Sequence, residues 1–227
     1  MATLQYLTTI QFDHGALSGL AGALKRLGVT RPFVVTDPGL KAIGMLDKVL
    51  AAMGAAPAGV YADTPANPTE AAVLVATEAY KASGADGIVA LGGGSGMDLA
   101  KAMGLMATHD GPLARYGAAQ RGGKLIGKIP PLVAIPTTSG TGSEASVGSM
   151  IILETGEKEL LVSPNLIPAI AICDPELTHG LPAGLPLQVV TAEPPLVATR
   201  AGDFAAMPFS LASGPLVRAL LIGSGPG

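Results

Sequence analysis

Gly87-Ile88-Val89-Ala90-Leu91-Gly92-Gly93-Gly94-Ser95-Gly96-Met97-Asp98 is the stretch that sets the fold of this 227-residue chain. A short apolar run at 87–91 reads as a strand, three consecutive glycines follow it, and residues 95–108 carry a helix-like pattern. A glycine-rich turn between strand and helix lets an anion approach the backbone with no Cβ in the way. The helix behind it offers free N–H groups and the positive end of its dipole. On that reading Gly92, Gly93 and Gly94 form the cradle, Ser95 adds a hydroxyl, and Asp98 caps orphan N–H groups of the first turn. The other reading is a flexible glycine turn with an ordinary helix cap.

Working outward, the same alternation repeats from residue 31 to residue 173. Residues 33–36 read as a strand that ends at a turn, Asp37-Pro38-Gly39, and 40–53 place apolar residues at helical spacing. Residues 59–62 form a second short strand. Thr69 is an N-cap for a helix over 70–83. Residues 132–135 make a further strand, 147–153 and 159–162 a β-hairpin turning at Thr155-Gly156, and 169–173 the last strand. Strands alternating with helices at this spacing imply an α/β fold with a mainly parallel sheet plus a hairpin. Ligands of such sheets bind beyond the carboxyl ends of the strands.

A second loop, Pro136-Thr137-Thr138-Ser139-Gly140-Thr141-Gly142-Ser143-Glu144, also follows a strand directly. Hydroxyls at Thr137, Thr138 and Thr141 suit a ribose, a carboxamide or a phosphate, although an ordinary Ser/Thr/Gly turn has the same composition. Asp37, at a strand end, can accept hydrogen bonds from a ribose and repel a 2′-phosphate; a turn-forming Asp before Pro38 is the alternative. His14, His109 and His179 form no i, i+4 pair and read as surface or loop residues. Cys173 reads as a small buried hydrophobe, since no local feature would lower its pKa.

Composition narrows the function classes. The chain is 48% hydrophobic and 4% aromatic, has a net charge of −3, and has no basic block of the kind nucleic acid requires. No uninterrupted apolar stretch reaches the roughly 18 residues of a membrane span. A lone cysteine and an N-terminus without a signal-peptide pattern fit a cytoplasmic protein.

Taken in order, Val35-Thr36-Asp37, Asn67-Pro68-Thr69, Gly92 to Asp98 leading into Lys101-Ala102, Pro136 to Glu144, Lys158 and Asp174-Pro175-Glu176-Leu177 resemble the iron-containing alcohol dehydrogenase family. That family is related in fold to glycerol dehydrogenase and dehydroquinate synthase. The resemblance implies a Rossmann-like dinucleotide-binding domain over 1–185, NAD(P) as cofactor, with NAD favoured by Asp37, and a small alcohol or aldehyde as substrate. Residue by residue, it implies Asp37 on the adenosine ribose, Gly93, Gly94 and Ser95 on the pyrophosphate, and Thr137, Thr138 and Thr141 around the cofactor. It puts Lys158 near ribose hydroxyls, Leu177 packing nearby and Asn67 near the adenine end.

The family's metal, iron(II) or sometimes zinc, is held by one Asp and three His from a helical domain beyond the position of Leu185. Here all three histidines precede that position, and Pro186-Leu187-Gln188-Val189-Val190-Thr191-Ala192-Glu193 replaces the family's pattern. We expect no metal ligands and an irregular, proline-rich tail over 186–227, with short helices at 196–207 and 216–222. Its catalytic residues are unassigned. A reading-frame shift near Leu185 would account for the abrupt end of the match; other frames of the gene lacking an Asp/His helix would refute it. Two functions follow, an alcohol/aldehyde oxidoreductase or a dinucleotide-binding module without turnover. An uncovered apolar surface would favour a homo-oligomer or self-association.

Overall fold

The computed structural model describes residues 2–5 and 7–179; the tail at 186–227 lies outside the described residues. Seven strands form one sheet: β1 (Ala2–Gln5), β2 (Thr9–Phe12), β3 (Pro32–Val35), β4 (Gly59–Tyr61), β5 (Gly87–Gly92), β6 (Leu132–Pro136) and β9 (Ile170–Cys173), in spatial order β1-β2-β9-β6-β5-β3-β4. Every neighbouring pair is parallel except β1 with β2. β7 (Gly148–Ile152) and β8 (Lys158–Val162) make the separate antiparallel hairpin. The α/β, mainly parallel fold expected from the sequence is what the chain adopts.

The central strands β3, β5, β6 and β9 are apolar because both faces are covered. In β5, Ile88 and Ala90 join one buried cluster while Val89 and Leu91 join another. β3 and β6 split in the same period of two: Phe33, Val35, Leu132 and Ala134 lie on the first face, Val34, Val133 and Ile135 on the second. Helices α4 (Glu70–Ser83) and α5 (Gly94–Thr108) cover the first face. Helices α1 (Leu20–Arg26) and α3 (Met45–Ala52) cover the second. Phe33 meets Tyr80 edge-on at 5.5 Å between ring centres, tying β3 to α4.

Two expectations change. The helix read over 40–53 is two helices, α2 (Pro38–Ala42) and α3, broken at Gly44 with φ of 73°. An L-residue resists that left-handed conformation and glycine does not, so the apolar periodicity continues while the helix axis does not. Asp37-Pro38-Gly39, read as a turn, begins α2: the Asp37 carboxylate accepts the Leu40 N–H at 2.9 Å and proline fills the first turn. The sequence reading also passed over β1, β2 and α1. The spacing of Leu20, Ala23 and Leu24, all buried, is the helical signal that could have found α1.

Candidate functional site

Chain order creates the crevice. From β3 the chain moves outward to β4, then returns across β3 to β5 and continues to β6 and β9. Connections leaving β3 and β5 therefore diverge, and an open α/β sheet takes its ligand at such a switch point. Asp37 follows β3 there, and Gly92 closes β5 opposite it.

Gly92 has φ of 151°, a conformation that favours glycine, and a Cβ added to it would lie 3.7 Å from Asp37 Oδ2. Gly93 is the N-cap of α5, whose first turn receives no side-chain cap. A Cβ on Gly93 would lie 3.1 Å from Thr138 Oγ1, and one on Gly94 would lie 3.5 Å from Ser143 Oγ and from the Thr141 Cβ. A Cβ on Gly96 would lie 3.3 Å from the Leu91 carbonyl oxygen, so that glycine sets how closely α5 packs on β5. The result is a bare, uncapped helix N-terminus beside a hydroxyl-bearing loop. Such a terminus presents N–H groups and a partial positive charge to an anion.

The second loop is fixed to the first. The Thr137 N–H donates to the Gly92 carbonyl at 3.0 Å, extending β6 past its last ladder pair, and Thr137 is buried. Thr138 and Thr141 remain half-buried at the crevice, with Thr141 Oγ1 accepting the Ser143 N–H at 3.4 Å. Ser95 donates its hydroxyl to the Ala66 carbonyl oxygen, binding the loop after β4 to the α5 terminus. Exposed Asn67 sits in that loop, and the Ile152 N–H donates to the Pro68 carbonyl at 2.8 Å. Lys158, also exposed, is the register partner of Ile152. The hairpin thus brings Lys158 to the Asn67 side of the crevice. Leu177 is a core residue, 5% exposed, packed with the second cluster.

Asp98 does something other than expected. It lies beyond the first turn of α5 and caps none of the helix's N–H groups. Its Oδ1 accepts the Ser143 hydroxyl at 3.1 Å, its Oδ2 accepts the Met150 N–H at 3.1 Å, and its backbone carbonyl accepts the Ser149 hydroxyl at 2.7 Å. The carboxylate thus bridges Ser143, which lies beside Gly94, and Met150 of the hairpin. Burial raises its pKa, against the lowering effects of Lys101 and of its two donors.

The sequence reading assigned no role to the groups beside it. Lys101 is fully buried and its Nζ donates to the Ser146 carbonyl at 3.0 Å, Ser146 Oγ at 3.1 Å and the Gly148 carbonyl at 2.8 Å. Desolvation brings its pKa down to about 8, opposed by Asp98 and Glu144. Burial raises the Glu144 pKa, and its Oε2 is buried without a hydrogen-bond partner. Burial, with the Glu144 charge behind it, pushes the Cys173 thiol up to about 12, in keeping with an unreactive residue. A lysine inside the apolar helical run Leu99-Ala100-Lys101-Ala102-Met103 was the available signal for this cluster.

Two cavities lie elsewhere. One of about 480 Å³ is bordered by Arg121, Lys124 and Asn165, and one of about 670 Å³ by His14, Lys48, Glu176 and His179. Neither includes the glycine or threonine loop, so the candidate site rests on loop geometry and not on an enclosed volume. Among the described residues, no three His, Cys, Asp or Glu side chains are grouped to hold a metal. No helix among them is long and apolar enough to cross a membrane.

Residues 8–175 match the family model for iron-containing alcohol dehydrogenase. The chain belongs to that family. It is 48% identical over 186 residues to the 4-hydroxybutyrate dehydrogenase of Cupriavidus necator, covering 82% of this chain and 49% of that protein. Among solved structures it resembles 1,3-propanediol oxidoreductase, with a TM-score of 0.72 and 32% identity, covering 78% of this chain and 46% of the other. It also resembles the sulfoacetaldehyde reductase of Bifidobacterium kashiwanohense in complex with NAD+, with a TM-score of 0.70 and 30% identity, covering 78% and 47%. The chain spans about half the length of the curated relatives it matches.

Proposed function

We propose that this iron-containing alcohol dehydrogenase family member binds a nicotinamide dinucleotide in the β3/β5 crevice, NAD in preference to NADP. It would do so as the cofactor-holding part of an alcohol or aldehyde oxidoreductase. The observation that carries the reading is the uncapped α5 terminus behind Gly92, whose glycines leave no Cβ between the backbone and a pyrophosphate. A bound cofactor supplies the hydride acceptor or donor; this chain's residues bind and orient it. The N–H groups of α5's first turn hold the pyrophosphate, with Ser95 beside them. Asp37 accepts from the adenosine ribose and repels a 2′-phosphate. Thr137, Thr138 and Thr141 flank the cofactor, while Lys158 and Asn67 approach from the hairpin side. Leu177, being buried, contributes packing beneath the site. Support for the cofactor class comes from the NAD+ complex of the sulfoacetaldehyde reductase.

Residues 1–185 form the cofactor-binding unit on this reading, with 186–227 a tail of different character. The family match ending at residue 175 supports a boundary in that region. The family's iron(II) would be held by one Asp and three His beyond the position of Leu185, outside the described residues. No step is routed through it. A second reading is a dinucleotide-binding module without turnover. NADH fluorescence titration of the 227-residue chain, with iron(II) and short alcohols including 4-hydroxybutyrate added in the same cuvette, separates them. Binding with turnover supports the oxidoreductase. Binding alone supports the module, and no binding sinks both.

A further inference from the structure

The crevice as described uses none of the three buried titratable groups behind it. Asp98 and Lys101 sit one turn apart on α5, and five hydrogen bonds run from their side chains to Ser143, Ser146, Gly148 and Met150. All the partners lie in 143–150, the segment that continues from the threonine loop. A buried amine that only filled space would be replaced by an apolar side chain of similar volume at little cost, or with a gain. Here three donors aimed at two carbonyls and a hydroxyl specify position.

The spacing they control is tight. A Cβ on Gly93 or Gly94 would stand 3.1 Å from Thr138 Oγ1 or 3.5 Å from the Thr141 Cβ. A shift of the threonine loop by about one ångström would change which atoms a ligand between the loops could reach.

We propose that Asp98 and Lys101 are positioning residues that lock segment 143–150 against the flank of α5, thereby fixing the separation of the glycine and threonine loops for the cofactor. This rests on the dinucleotide reading for its ligand, though not for the lock itself. The titratable groups facing Lys101 are Asp98 on its own helix and Glu144 at the start of the locked segment, with Cys173 at the end of β9 beyond Glu144.

The test pairs amide hydrogen exchange of the ligand-free 227-residue chain with NADH titration, for wild type, Lys101→Met, Asp98→Ala and the milder Ser143→Ala. Ser143→Ala removes only the hydroxyl bonded to Asp98, so it keeps the test alive should the other two fail to fold. Thr77→Val, which deletes a buried hydroxyl donating to the Val73 carbonyl on α4, is the control for general loosening. Exchange over 137–150 should quicken by roughly tenfold or more in the lock variants, with 87–92 and 170–173 unchanged and NADH affinity falling by a similar factor. Thr77→Val should do neither. Exchange that rises everywhere alike, or local exchange that rises while NADH affinity stays put, would overturn the proposal. A wild type that fails to bind NADH while the local exchange response persists would strike the dinucleotide reading and leave the lock supported.

Discussion

Asp37 carries two loads at once, and they can be separated. One carboxylate oxygen caps α2 through the Leu40 N–H at 2.9 Å, while the other lies toward Gly92 across the switch point. Asp37→Ser keeps a capping oxygen and removes the charge. Its urea stability should therefore stay within a few tenths of a kcal/mol of wild type, and Asp37→Ala should lose about 1 kcal/mol. The same serine variant should shift the NADPH-to-NADH affinity ratio toward NADPH by about tenfold, the equivalent of roughly 1.4 kcal/mol. An unchanged ratio would remove Asp37 from the discrimination. Cys173 gives a second residue-scale prediction. With its thiol pushed up to about 12, almost none is thiolate at pH 8. Modification by a disulfide reagent should run at least about a hundredfold slower in the folded chain than in urea. Glu144→Gln, which removes the charge behind the thiol, should narrow that gap; a fast native reaction would show that the sulfur is neither desolvated nor shielded.

At the scale of elements, α4 depends on its N-cap. Thr69 Oγ1 accepts the Ala72 N–H at 3.2 Å, and the preceding Pro68 carbonyl receives the hairpin's Ile152 N–H at 2.8 Å. Thr69→Ala should cost about 1 kcal/mol in urea unfolding, whereas Thr69→Ser should restore most of it. A silent alanine variant would mean the cap is replaced by solvent. Thr69 was legible in the sequence because capping chemistry is local, and β5 was legible because its run of apolar residues ends abruptly in glycine. The break at Gly44 was not legible. A glycine tolerated inside a helix and one that turns the chain look alike when apolar periodicity continues on both sides. β2 escaped notice for a different reason: its place is set by pairing with β9, Thr9 with Ile170 through Phe12 with Cys173, across more than half the chain. The loops of the candidate site were legible as composition. The direction of the Asp98 side chain was not, because it depends on where the hairpin docks.

For the whole molecule, the buried trio of Asp98, Lys101 and Glu144 links stability to pH with two opposite signs. Burial raises the pKa of both carboxylates, so their contribution is fully present below the unfolded value near 4 and is lost as pH rises through the raised values. Lys101 behaves conversely. Its folded pKa of about 8 lies below the ordinary lysine value of 10.5, so folding releases a proton between the two. Its contribution is present above 10.5 and is lost as pH falls through about 8. Wild type should therefore gain stability relative to Lys101→Met between pH 8 and pH 10, by about 2 kcal/mol. The difference is the quantity to measure by urea unfolding at each pH. Cys173 and Tyr80, both pushed up to about 12, pull stability the other way at alkaline pH but are present in both chains and cancel. The methionine variant also leaves the Ser146 and Gly148 carbonyls without their donor, which offsets its stability at every pH without creating a slope in this window. A difference that stays flat from pH 8 to pH 10 would mean the amine is as well solvated as a surface lysine, contrary to its complete burial under the hairpin.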